Sequence, residues 1–146
     1  MRCILLILVL GSTGSGCSYG MKVGHFVPAS GPRGVITRVA VGSSTFDAEL
    51  IEIRGTGLLV LQNPGADPSS SGGPETRPRL RSLPYGSIRS ARFEQTNVAI
   101  ADGVPPSQKD IRRLRLLSRF PQGVSPELLQ ALLHAYGQEQ VEGAQP

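Results

Sequence analysis

Residues 46–62, FDAELIEIRGTGLLVLQ, decide the fold of this chain. The segment Phe46–Arg54 predicts a strand, and Leu58–Gln62 predicts another of mostly aliphatic residues. Between them Gly55-Thr56-Gly57 supplies a tight turn, so that the second strand pairs back on the first. These residues therefore predict a β-hairpin.

Three further strands are predicted around this hairpin. Their ranges are Gly34–Val41, Arg79–Leu83 and Ser87–Gln95. The first is rich in β-branched residues, the second alternates polar and apolar side chains, and the third carries Ile88 and Phe93 as candidate core residues. Residues 63–78, NPGADPSSSGGPETRP, have too little apolar surface to order themselves and predict a low-complexity loop.

Beyond residue 106 the apolar residues recur with helical spacing. Ser107 is a candidate N-cap with Asp110 at the capping-box position, and Pro121 ends the predicted helix. Ser125-Pro126-Glu127 has the cap, the proline and the acid of a second helix start, and Gly137 is placed to cap its end. The two helices predict an αα-hairpin over residues 107–137, with Leu132 and, in the strands, Ile53 as core residues.

The five predicted strands resemble small SH3-like or Sm-like barrels. The residues that carry the resemblance are Glu49–Arg54, Gly55-Thr56-Gly57, Leu58–Leu61 and Leu83–Ile88. In such barrels a bent second strand turns tightly into the third, and a short turn precedes the last strand. The resemblance implies an α+β fold, with a five-stranded antiparallel barrel over residues 34–95 followed by the αα-hairpin, and it implies no binding residues.

The first residues are typical of an export signal. Arg2 gives a positive charge, Ile4–Leu10 is an apolar run, and Ser15-Gly16-Cys17 resembles the end of a bacterial lipobox, although Gly14 stands where lipoboxes carry an aliphatic residue. The resemblance implies cleavage after Gly16 and acylation of Cys17. An ordinary secretory signal and a non-cleaved start remain alternatives. A membrane span is disfavoured, because seven residues at 1.5 Å each cover about 10 Å of a roughly 30 Å bilayer.

The predicted organisation follows from these segments. Residues 1–16 are a lipoprotein signal peptide, 17–33 the lipidated Cys17 and a flexible tether, 34–137 a single α+β domain, and 138–146 a disordered tail. Both cysteines, Cys3 and Cys17, fall in the leader region, so no disulfide is expected. The chain resembles small envelope lipoproteins, which implies a lipid-anchored location in the bacterial cell envelope. In a two-membrane cell Ser18 favours the outer membrane.

The inventory of catalytic groups is small. The two histidines are His25, in the predicted tether, and His134, on the polar side of the second predicted helix. With no cysteine partner they do not make a zinc site. Asp47 and Glu49 share a strand face as a solvated pair. No Gly-x-Ser-x-Gly, Gly-rich phosphate loop or His-Glu-x-x-His motif occurs. We therefore expect no enzyme activity, no metal and no cofactor.

The charge distribution offers one candidate contact surface. The chain has a formal net charge of +4, and residues 77–119 hold ten basic and three acidic side chains. Arg112, Arg115 and Arg119 are predicted to line one helix face, as a contact for a partner or for phosphates. The alternatives are a solvated basic surface, contact with anionic lipid or lipopolysaccharide, and contact with RNA, which aromatic residues poorly support and an exported protein does not meet.

These observations predict a membrane-anchored envelope lipoprotein that acts as a non-catalytic structural or interaction module. Its expected partner is another envelope protein, met through an unpaired barrel edge or through the arginine stripe. A basic module that binds anionic lipid or RNA phosphates is the alternative, and a small envelope enzyme is a weaker one.

Overall fold

A computed structural model of the chain describes residues 33–65 and 77–143. Cys17 and His25, like the predicted signal peptide, lie outside the described residues. The described part holds the strands β1 (Ile36–Val41), β2 (Ser44–Ile53), β3 (Gly57–Gln62), β4 (Arg79–Pro84), β5 (Ile88–Phe93) and β6 (Ala99–Ala101), and the helices α1 (Gln108–Leu117) and α2 (Pro126–Ala135). A 3₁₀ turn, Tyr85–Ser87, separates β4 from β5.

The strands form one antiparallel sheet in the order β4-β3-β2-β1-β5-β6. The α+β class and the predicted hairpin of β2 and β3 are confirmed. The sheet has six strands rather than the expected five, and within the described residues it is open, with β4 and β6 at its ends. The sixth strand, Ala99–Ala101, is three residues long and buries only Ile100, which is too little pattern for sequence analysis to detect.

Each face of the sheet carries its own apolar core. The first core contains buried residues from all six strands, and the second lies over β2, β3 and β4. β3 shows the division, because Leu58 and Val60 belong to the first core while Leu59 and Leu61 belong to the second. A strand buried on both faces has a continuous apolar run, which explains the aliphatic sequence of β3.

The two helices lie in different cores and do not form the expected αα-hairpin. α1 places Leu114 and Ile111 in the first core, whereas α2 places Leu133 in the second. Both predicted caps are confirmed, since Ser107 Oγ accepts from the Asp110 N–H and Ser125 Oγ from the Leu128 N–H, each at 3.2 Å. The expected αα-hairpin does not form because each face of the sheet needs a helix to cover its apolar side chains.

The residues after α2 continue along β4. The Leu80 N–H donates to the side-chain oxygen of Gln138 at 2.7 Å, and the Ser82 N–H donates to the Glu142 carbonyl at 2.8 Å. Sequence analysis predicted a disordered tail from residue 138, whereas residues 138–143 lie against this strand. The physical reason is that β4 is the end strand of the sheet, whose backbone groups need partners.

Candidate functional site

A bulge in β2 fixes the connection between the two helices. The register of β2 against β3 shifts between Leu50 and Glu52, which turns the Leu50 and Ile51 carbonyls away from the regular pairing. The Arg119 N–H donates to Leu50 O at 3.0 Å and the Phe120 N–H to Ile51 O at 3.1 Å. Within the described residues β2 therefore has three hydrogen-bonded neighbours, which are β1, β3 and the segment after α1.

A buried ion pair lies beside this bulge. The Glu49 side chain is fully buried, and its Oε1 accepts from Arg119 Nε at 2.7 Å and from the Gly34 N–H at 2.6 Å. Its Oε2 accepts from Arg119 Nη2 at 2.5 Å, so that the guanidinium binds the carboxylate with two parallel bonds. Arg119 Nη1 also donates to the Tyr136 hydroxyl at 3.4 Å. The pair links the start of the domain, β2, the connection between the helices, and α2.

The environment of Arg119 keeps it charged. Burial acts to lower the pKa of Arg119, but the hydrogen bonds to Tyr136 and Glu49 and the charge of Glu49 outweigh it and raise the pKa. A charged guanidinium that donates three hydrogen bonds to Glu49 and Tyr136 is a structural clamp. Glu49 in turn accepts three hydrogen bonds, two at Oε1 and one at Oε2.

The clamp changes the interpretation of three predicted site residues. Arg119 lies beyond the end of α1 at Leu117 and is paired, so it is not part of an exposed arginine stripe. Asp47 and Glu49 do not form a solvated carboxylate pair, because Glu49 is buried while Asp47 accepts from Arg38 Nε at 2.9 Å on the surface. Burial of Glu49 could not be seen in the sequence, because its partner is 70 positions away.

The exposed side of α1 carries a group of basic residues that is not bonded into the fold. We call Lys109, Arg112, Arg113 and Leu116 the α1 face. They follow the spacing i, i+3, i+4, i+7 and so lie on one side of the helix, opposite the buried Leu114. All four are exposed, and Leu116 is 77% exposed. Within the described residues none of the three cations forms an ion pair.

The single acid of α1 does not neutralise this face. Asp110 is half-buried and accepts from the Ser107 hydroxyl at 2.6 Å, which holds it at the helix cap. Of the predicted stripe, Arg112 is in the α1 face, and its Nε donates to Gln108 O at 3.3 Å. Arg115 is exposed on the flank, beside a cavity that Glu52 and Phe120 also line. The sequence does carry a signal for the α1 face. If Leu114 is taken as the centre of the buried side of the helix, the residues on the opposite side are those of the α1 face, whereas the positions of the arginines alone predict the stripe.

The start of the described chain lies next to the end of α1. The Val35 N–H donates to Leu117 O at 2.8 Å, and a cavity of about 450 Å³ is lined by residues 33–36 and 116–119, together with Glu94 and Gln95. The segment that enters the domain at Arg33 therefore does so beside Leu116.

The remaining predicted groups do not come together. His134 is exposed near the end of α2, beside a cavity that Arg77 and Arg79 also line. Over residues 33–65 and 77–143 no group of three or more His, Cys, Asp and Glu side chains could hold a metal ion. Over the same ranges no helix has the length and apolar character needed to cross a bilayer.

Comparison with known proteins adds no identity. No family model, curated protein or solved structure matches the chain. The assignment of function therefore depends on the residues themselves.

Proposed function

We propose that the protein is a lipid-anchored, non-catalytic interaction module of the bacterial envelope, and that the α1 face is its contact surface. The observation that carries the proposal is the α1 face itself, in which three cations precede an exposed leucine on the same side of the helix and none of them forms an ion pair within the described residues. Exposed apolar residues are ordinary one at a time, but three cations and a leucine on one helix side form a surface that attracts a partner of opposite charge.

The scaffold of this module is an SH3-like or Sm-like barrel. Two features support it: β1 pairs with both β2 and β5, and a 3₁₀ turn leads from β4 into β5, where such barrels carry their short turn. The first core also supports it, because residues from all six strands meet there, as they do when a sheet curls round its core.

The anchor is Cys17, acylated after cleavage behind Gly16. Its support is the run of charge, apolar segment and small residues before Cys17 in the sequence. Two or three acyl chains hold a small domain at a membrane, since each buried CH₂ contributes about 0.8 kcal/mol.

Two features of the described part support a non-catalytic role. Its buried carboxylate, Glu49, is committed to Arg119 and to the Gly34 N–H. Its histidine, His134, is exposed and has no acid or nucleophile as a hydrogen-bond partner within residues 33–65 and 77–143.

Metabolic labelling with an alkyne fatty acid tests the anchor. Label should appear on the wild-type chain and on Cys3→Ser, which serves as the matched control, and should be absent from Cys17→Ser. Label retained by Cys17→Ser would overturn the proposed anchor.

Site-specific photo-crosslinking in intact cells tests the contact surface. A crosslinking residue in place of Leu116 should give an adduct, whereas one in place of Gln130, which is exposed on α2, should give none. Equal yields at the two positions would show that the α1 face is an ordinary solvated surface.

A further inference from the structure

We infer that the α1 face docks on an anionic phospholipid surface, that of the membrane in which the chain is anchored. The inference rests on the proposed function and names its partner. It is drawn from the charge of the face, the placement of its one apolar residue and the position at which the chain enters the domain.

The charge of the face matches an anionic bilayer. Lys109, Arg112 and Arg113 extend from the same side of α1, and each is free of an ion pair within the described residues. Lipid phosphates present a dense layer of acceptors of the opposite sign, with no defined pattern of sites to match. Flexible exposed cations on one helix side fit such a layer, because each finds a phosphate wherever the lipid places it.

The apolar residue of the face is exposed and lies beside the cations. Leu116 is 77% exposed and lies on the same side as the three cations. A helix that lies flat on a bilayer buries such a side chain among the headgroups while its cations stay at phosphate level. A protein partner usually needs a cluster of aromatic and arginine anchors in a pocket, and the α1 face offers two arginines and one leucine, with no aromatic residue, on a ten-residue helix.

An RNA partner fits the face less well. Single-stranded nucleic acid is held by aromatic side chains on which bases stack, in addition to cations. Among residues 108–117 there is no aromatic side chain.

The position of Arg33 brings the α1 face towards the anchor. Residues 33–36 and 116–119 line one cavity, so that the chain arriving from Cys17 enters the domain beside Leu116. The seventeen residues from 17 to 33 span at most about 60 Å even when fully extended. The domain is therefore held close to the bilayer, where a weak contact is sufficient because the effective concentration is high.

Vesicle binding tests the inference on the unacylated chain, with both Cys3 and Cys17 replaced by Ser. The chain is mixed with vesicles of phosphatidylcholine and phosphatidylglycerol, or with vesicles of pure phosphatidylcholine. The apolar run 4–10 contributes similarly to both, so the difference between the two reports on the charged surface. We expect a marked preference for the anionic vesicles that falls as salt is raised.

Two variants with the same change of charge locate the contact. Lys109→Glu/Arg112→Glu/Arg113→Glu should weaken partition onto anionic vesicles by about 100-fold or more, from the contribution of each cation near such a surface. The matched control is Arg77→Glu/Arg89→Glu/Arg92→Glu, three exposed arginines elsewhere in the fold, which should lose far less. Leu116→Ser should weaken binding by a smaller factor.

Three results would overturn the inference. The first is equal partition of the parent chain onto both kinds of vesicle. The second is an equal loss of vesicle binding in the two triple variants, which would mean that binding depends on the net charge of the chain. The third is a protein rather than a lipid adduct from a photo-crosslinker at position 116 in cells. Because the vesicle chain lacks the acylated cysteine, the two vesicle results are independent of whether Cys17 labelling succeeds.

Discussion

The two helices of this protein have similar local signals and different positions. Each is ten residues long and begins at a capping serine, Ser107 for α1 and Ser125 for α2. α2 packs Leu133 into the second core, with Leu129 and Leu132 partly buried beside it, whereas α1 packs Leu114 into the first core with Ile111 partly buried beside it. The comparison teaches that caps define where a helix forms, while the width of its apolar side decides whether it supports the fold or presents a surface.

The largest expected effect comes from the clamp that joins both helices to the sheet. Arg119→Met should cost about 3–5 kcal/mol, because it leaves the buried Glu49 carboxylate without its counter-charge. Urea unfolding of the unacylated chain measures this. The control is Glu49→Gln/Arg119→Met, in which Gln can still accept from the Gly34 N–H and no buried charge remains, so much of the loss should be recovered. A cost below about 1 kcal/mol for the single variant would show that the clamp is dispensable.

Leucine truncation compares a buried side chain of α2 with the exposed side chain of the α1 face. Leu133→Ala should cost about 2–5 kcal/mol, because the side chain is only 3% exposed and its removal leaves a cavity. Leu116→Ala should change the free energy of unfolding by less than about 0.5 kcal/mol, since that side chain is in solvent. Similar costs in urea unfolding would contradict the different burial of Leu133 and Leu116.

Removal of either capping serine should weaken its own helix to a similar extent, but the two changes should lower the stability of the whole domain by different amounts. Ser125→Ala should cost about 1 kcal/mol in global unfolding, because α2 is part of the second core. Ser107→Ala should instead speed amide hydrogen exchange within α1, with a smaller change in global stability. A Ser107→Ala variant that leaves exchange in α1 unchanged would mean that α1 opens only with the whole domain.

A pH titration tests how the Glu127 carboxylate stabilises the start of α2. A hydrogen bond from its own backbone N–H, and one from the Ser125 hydroxyl, lower the pKa of Glu127 below its ordinary value. The charged carboxylate therefore stabilises α2 above the pKa of the unfolded chain, and this contribution is lost as the pH falls through the folded pKa. NMR titration of the Glu127 carboxyl checks the direction, and Glu127→Gln should remove this part of the acid sensitivity. A folded pKa at or above the ordinary value would contradict it.

The elements that could be predicted from sequence are those with dense local signals. The first five strands, the turn at residues 55–57, and both caps were found because periodicity and turn residues define them within a few positions. The end of α1 was missed, since the predicted helix continued to Pro121 while the helix ends at Leu117 and Ser118 adopts an extended backbone. β6 was missed because Ile100 is its only buried residue.

The features that could not be predicted depend on distant contacts. Glu49 has no sign of burial in its own segment, and the guanidinium that neutralises it comes from the connection between the helices. Gln138 and Glu142 look like polar tail residues until the edge of β4 offers them backbone partners. The separation of the two helices has one signal in the sequence. The unbroken apolar run Leu58–Leu61 indicates a strand that is buried on both faces, which requires an apolar layer on each side of the sheet.

The central claim is that α1 holds its face free for a ligand while the rest of the molecule supports the fold. Urea unfolding of Lys109→Glu/Arg112→Glu/Arg113→Glu against the parent chain tests this most directly, because a surface kept for binding can change its charge without loss of stability. The account predicts a free energy of unfolding within about 0.5 kcal/mol of the parent chain. A loss above about 2 kcal/mol would contradict it, because the three cations would then be part of the folding core of the domain.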